Sequence, residues 1–175
     1  MTCTEIIFEI IKITGAIVGL ILIIHRINLT KKVFVADHLR RKKESTLTAY
    51  NAIRDSYREI NDELCSKLNV VKNTPTPISK DVLMRINNED SHRAKVTTLL
   101  GYIQRFAVGV QHDIYDKDVL WDLSGSSFIT VFERYRPYLI HIREKNKMFC
   151  MESDIFIESL KERSNIEKEK IKANN

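Results

Sequence analysis

An arginine and a histidine five positions apart, in Arg136-Pro-Tyr-Leu-Ile-His141, are the residues of this chain whose types could do chemistry together. A guanidinium can hold a phosphate through two parallel hydrogen bonds. An imidazole can move the proton of a ribose 2′-hydroxyl near neutral pH. Together they could cleave RNA without a metal. The spacing itself specifies little, because Arg134…His141 and Arg105…His112 fall in the same range. Residues five apart in one continuous α-helix also point to different faces, so the pair needs the kink that Pro137 would impose. The competing reading is an ordinary helix with an interhelical salt bridge.

Other chemistry is thinly provided. The chain has no Gly-rich phosphate loop, no HExxH, no CxxC and no serine nucleophile elbow. Its five histidines, His25, His38, His92, His112 and His141, show no close pairing. Its three cysteines, Cys3, Cys65 and Cys150, are far apart and odd in number. They read as reduced thiols or packing residues, not as a disulfide or zinc site. The sequence therefore predicts no metal and no cofactor. A net charge of +5 is weak ground for a nucleic-acid partner.

The elements that must position Arg136 and His141 are helical. Five glycines and three prolines in 175 residues leave few turn signals. Tyr50, Ile53, Tyr57, Ile60, Leu64 and Leu68 form an apolar stripe at helical spacing. It predicts one long helix or two over 30–71, with a possible break near Ser45-Thr46. The segment from Lys72 to Ser79, with two prolines, is a loop. Ser79 caps a short helix over 80–87. A strong amphipathic helix follows over 91–111, with Val96, Leu99, Leu100, Ile103, Phe106, Ala107 and Val110 inward. Asp116 caps 117–123, and Ser124-Gly125-Ser126 reads as a turn. Phe128, Val131, Phe132, Tyr135, Leu139 and Ile142 make the apolar face of 128–143, which Pro137 kinks or restarts. A last helix, over 152–170, carries a weak stripe of Ile155, Phe156, Ser159, Leu160 and Arg163.

The first quarter sets the expected location. Ile6–Ile24 is 19 residues long, and thirteen of them are Ile, Leu, Val or Phe. As a helix it is about 28 Å long, against a hydrocarbon core of about 30 Å. The apolar residues favour insertion by about 4 to 8 kcal/mol, while Glu9 and Lys12 cost up to about 3 kcal/mol each. A membrane span outweighs a buried core helix or a cleaved signal peptide. Glu5, Glu9 and Lys12 share a helical face with Gly15 and Gly19, which form a GxxxG. That face belongs against another helix or a water-filled lumen, so it implies self-association. Arg26, Lys31, Lys32, Arg40, Arg41, Lys42 and Lys43 follow, with only Asp37 among them. They orient the span with the remainder of the chain cytoplasmic and attract anionic headgroups; a nucleic-acid surface is the sharper alternative. The expected fold class is thus all-α. One transmembrane helix (1–28) leads into a basic juxtamembrane segment and long helix (29–72). A cytoplasmic helical domain (73–175) follows and packs with 45–72.

An N-terminal membrane helix, a basic juxtamembrane segment, a small helical domain and Arg136…His141 together resemble the small accessory membrane proteins of type VI-B CRISPR systems, a family with a divergent HEPN motif. The segment Tyr102–Arg143, with Phe106-Ala-Val-Gly, Val119-Leu-Trp and Tyr138-Leu-Ile-His-Ile-Arg, also looks like a bacterial membrane-anchored domain family of unknown function. The first resemblance implies a HEPN-like bundle and a ring-like homo-oligomer that perforates the bacterial inner membrane. It also implies antiviral defence alongside an RNA-guided RNA nuclease, with membrane lipid and RNA as further partners. Its alternatives are a membrane-tethered, metal-independent ribonuclease and an RNA-binding or scaffold partner of the nuclease. Active HEPN ribonucleases usually carry a polar residue after the arginine. Pro137 stands there in this chain, removing a side chain and a backbone donor. That departure favours a non-enzymatic protein in which Arg136 and His141 organise subunit or RNA contacts.

Overall fold

The computed structural model describes the backbone of residues 3–173 and the side chains of residues 15 and 18–172. Among the described residues there are six α-helices: α1 (Cys3–Leu68), α2 (Lys80–Asn88), α3 (Asp90–Gln111), α4 (Lys117–Arg134), α5 (Arg136–Lys145) and α6 (Met151–Ala173). The chain divides into two compact units, Met1–Arg41 and Lys42–Asn175, and α1 contributes to both.

In the first unit α1 carries exposed apolar side chains from Val18 and Leu20 to Ile24, and again at Ile27, Leu29, Val33, Phe34, Val35 and Leu39. Among the described residues, no helix is long and apolar enough to cross a membrane. This corrects the expected transmembrane helix over 1–28, and with it the membrane pore and the single-pass inner-membrane topology. A span needs about 20 consecutive, predominantly apolar residues. The described apolar run ends at Ile24, and His25 and Arg26 follow at once, with Lys31 and Lys32 one to two turns later. Glu5, Glu9 and Lys12 lie outside the described side chains.

The second unit is a bundle with one core. Tyr50, Ile53, Tyr57, Leu64 and Leu68 of α1 are buried, and Ile60 packs at the core's edge. No break occurs at Ser45-Thr46. The Thr46 hydroxyl donates to Lys42 O and accepts from Asp116 N–H, both at 2.7 Å. Those bonds let a fully buried threonine sit inside a helix without an orphaned polar group. Ser79 caps α2 by accepting from Val82 N–H at 3.3 Å, and Asp116 caps α4 through Asp118 and Val119. Six of the seven predicted inward residues of α3 are buried, and Val110 is partly so. Phe106 stacks on Phe128 at 5.6 Å, while Tyr57 meets Phe128 edge-on at the same distance.

Two local readings change. The expected turn at 124–126 is instead a kink inside α4, where Ser124 alone leaves helical geometry (φ −160°, ψ 15°). The Trp121 ring lies over Gly125 there, and its indole N–H donates to Glu167 at 2.9 Å, tying α4 to α6. In α6 the inward face is Ser153, Phe156, Ile157 and Leu160, while Ile155 is 75% exposed. The stripe reads i, i+3, i+4, i+7 once it starts from Ser153.

Cys65 and Cys150 are buried free thiols. Burial pushes the Cys150 thiol up to about 11, against the lowering effect of Arg143. Cys150 also takes a left-handed backbone (φ 54°), which is costly for a residue with a Cβ. Arg143 holds this turn, donating to Phe149 O at 2.9 Å and Cys150 O at 2.7 Å.

Two glycines of α3 respond oppositely to alanine. A Cβ on Gly109 would lie 2.0 Å from the Tyr115 ring, which is pinned by its own N–H to Gly109 O and by Phe106. A Cβ on Gly101 meets nothing within 4 Å. Gly101→Ala is expected to stabilise by about 0.5 to 1 kcal/mol through helix propensity. Gly109→Ala is expected to destabilise by about 1 to 3 kcal/mol through overpacking. Urea unfolding of both variants checks the contrast.

Candidate functional site

The α4–α5 corner holds the residues that sequence spacing singled out. Tyr135 leaves helical geometry (φ −93°, ψ 13°), and Pro137 sits in the first turn of α5, where its missing N–H costs nothing. The chain therefore turns before Arg136. Arg136 and His141 fall within one continuous helix, about 140° apart around its axis. Among the described residues no hydrogen bond or ion pair joins them.

Arg136 is committed to Glu133. Its Nε donates to Oε2 at 2.8 Å and its Nη2 to Oε1 at 2.7 Å, with Glu158 further off at 3.9 Å. Its guanidinium lies over the Phe132 ring at 5.6 Å. Lys161 of α6 reaches the same Glu133 carboxylate at 2.7 Å. Burial alone would push the Glu133 carboxyl up, but the hydrogen bonds from Arg136 and Lys161 outweigh it and hold it below the usual range. His141 is 39% exposed, with Nδ1 3.6 Å from Glu144. This arrangement joins α4, α5 and α6 through Glu133, and it commits the Nε–Nη2 edge of Arg136 to that carboxylate.

The other predicted positions do not converge on this corner. Gly15 and Gly19 have nothing within 4 Å of a built Cβ. Arg26, Lys31, Lys32, Arg40 and Arg41 are exposed in the first unit. Asp37 is shared between Arg40 at 3.1 Å and Arg41 at 2.8 Å. In the second unit, Lys43 is exposed and Lys42 is bound to Asp113.

Spacing alone did not reveal the role of Arg134, which is fully buried. One Nη donates to Asn61 Oδ1 at 3.0 Å and to Cys65 Sγ at 3.3 Å. The other donates to the carbonyls of Val71 (3.0 Å), Lys72 and Thr74 (3.4 Å). The Arg134 carbonyl in turn accepts from Ile78 N–H at 3.0 Å. Arg134 thus fastens the α1–α2 loop at four points. A signal was present: Arg134 lies three residues after Val131 on the apolar face, and Asn61 lies between Tyr57 and Leu64 on the facing stripe. Polar residues at inward positions of two helices are candidates for a buried pair.

Fold and corner together define an all-α bundle held by buried and half-buried arginines. The chain belongs to the family described as Domain of unknown function (DUF4760), whose family model matches residues 9–158. This replaces the expected membership of the CRISPR accessory family and its HEPN identity, neither of which the family match carries. No curated protein and no solved structure matches the chain.

The corner yields a contrast in stability. Arg136→Ala is expected to lose about 1 to 2 kcal/mol, because Glu133 keeps only Lys161. His141→Ala is expected to stay within about 0.5 kcal/mol of the parent. The lowered Glu133 contributes stability that is complete above the ordinary carboxylate range and lost as pH falls through its folded value. In Glu133→Gln that part of the acid sensitivity should vanish, as read by urea unfolding between pH 7 and 3.

Proposed function

We propose that this protein is a non-catalytic RNA-binding module, and that the cation-bearing stretch of α1 within the first unit is its RNA surface. One observation carries the reading. Lys31, Phe34, His38 and Arg41 recur at i, i+3, i+7 and i+10 on α1, and the Phe34 ring at the centre of this stripe is 74% exposed. A cation that meets a phosphate, set one helical turn from an open aromatic face on which a base can stack, is what a single strand requires. Lys31, Lys32 and Arg26 have no carboxylate partner among the described residues, so their charge is available. From Arg26 to Arg41 the helix rises about 22 Å, enough for roughly three or four phosphates. The commitment of Arg136 to Glu133 supports binding over cleavage.

Fluorescence anisotropy of the full chain with a 20-nucleotide single-stranded RNA tests this. Binding should weaken with salt, and the RNA should stay intact in EDTA. Phe34→Ala should weaken binding about tenfold. Lys31→Ala with Lys32→Ala should weaken it similarly and reduce the salt slope by about 1.4, at about 0.7 for each phosphate no longer neutralised. Equal binding by these variants overturns the surface. Binding to anionic lipid vesicles but not to RNA overturns the choice of partner. Cleavage that disappears in His141→Ala overturns the non-catalytic assignment.

A further inference from the structure

The second unit contains a cleft of about 510 Å³ between α1, the α1–α2 loop and α4. That volume lies within the range of sites that take small organic ligands. We infer that this cleft is a binding site for a small phosphorylated molecule, with the phosphate monoester seated against Asn61.

The buried charge behind the wall comes first. Arg134 is 0% exposed, and its guanidinium meets amide and carbonyl oxygens and a thiol, with no carboxylate among its described partners. Its Nε has no hydrogen-bond partner among the described residues. A guanidinium stays charged, and in a low-dielectric interior its field is weakly screened. Asn61 and Lys72, which bond it directly, are two of the residues lining the cleft. The cleft is therefore adjacent to a fixed positive charge that the described residues leave without a counter-ion.

The lining supplies the donors an anion needs. Asn61 is 6% exposed, and Arg134 occupies its Oδ1. This fixes the amide so that its NH2, unpartnered among the described residues, belongs to the cleft wall. Ser126 and Thr130 of α4, beyond the kink at Ser124, also line it, and each carries a hydroxyl. Arg58 stands at the edge, exposed and without an ion pair among the described residues. The one carboxylate, Asp62, is bound by Lys72 at 2.6 Å and so is locally neutralised. Four separate donor groups, beside a buried guanidinium, suit the three terminal oxygens and the greater charge of a phosphate monoester. The remaining volume accommodates the organic part. The site is independent of the α1 surface proposed for RNA.

Titration of the 15N-labelled full chain with inorganic phosphate, then with adenosine monophosphate, tests the inference at constant ionic strength against chloride. Saturable shifts are expected at the Asn61 side-chain NH2 and at the Ser126, Ser127 and Thr130 amides, with adenosine monophosphate binding tighter. The variant Arg58→Ala with Lys72→Ala removes one donor and unmasks the Asp62 carboxylate, and should weaken both ligands at least tenfold. Lys31→Ala with Lys32→Ala should leave them unchanged. Shifts that never saturate, shifts absent from these residues, or an unchanged affinity in the Arg58/Lys72 variant each overturn the site.

Discussion

A single buried cation organises the second unit. Arg134 ends α4 inside the core, and its guanidinium collects the free carbonyls of the turn that follows α1. Taking a charge out of water costs several kcal/mol unless hydrogen bonds replace the missing hydration. Here five acceptors do so, and Ile78 N–H closes the arrangement from the other side. Local conformation, loop position and electrostatics therefore depend on one side chain. The Pro-containing loop could not hold itself against the bundle, since few of its own backbone groups pair within it.

The polar ties lie around an otherwise aromatic core. Tyr57, Phe106 and Phe128 meet in its centre at favourable ring geometries. Around them, Glu133 draws α5 and α6 to α4, Arg143 holds the strained turn at Cys150, and Trp121 reaches Glu167. These ties fix which helix meets which, a selection that apolar contact alone does not make. They also engage one edge of Arg136, the residue that looked most chemical in the sequence. Among the described residues, Lys31 and Lys32 in the first unit and the Asn61 amide in the cleft of the second keep polar groups without a protein partner.

Much of the bundle was legible in the sequence because its helices are strongly periodic. The stripes from Tyr50 to Leu68 and from Val96 to Val110 identify inward faces, and Ser79 and Asp116 identify helix starts. Periodicity failed at α6, where Ile155 looks like a core residue yet points outward, because Ser153 holds the inward position that a hydrophobic scan skips. It failed at Ser124-Gly125-Ser126, where turn-forming residues are absorbed into a kinked helix by the Trp121 ring. The apolar run at Ile6–Ile24 misled most. Its composition resembles a span, but the described helix turns polar and basic immediately after Ile24. Of the candidate sites, Arg136…His141 was visible as spacing only. For Arg134 and Asn61 the helical stripes mark each as a polar residue at an inward position, but their contact joins residues 73 apart, a pairing the stripes do not specify.

Equilibrium urea unfolding of Arg134→Lys tests most directly whether this arginine organises the bundle. Lysine keeps the charge but cannot reach the Asn61 side and the loop carbonyls together. A destabilisation of about 2 to 4 kcal/mol is expected, because orphaned carbonyls and a poorly solvated cation remain buried. A variant within about 0.5 kcal/mol of the parent would contradict that role for Arg134.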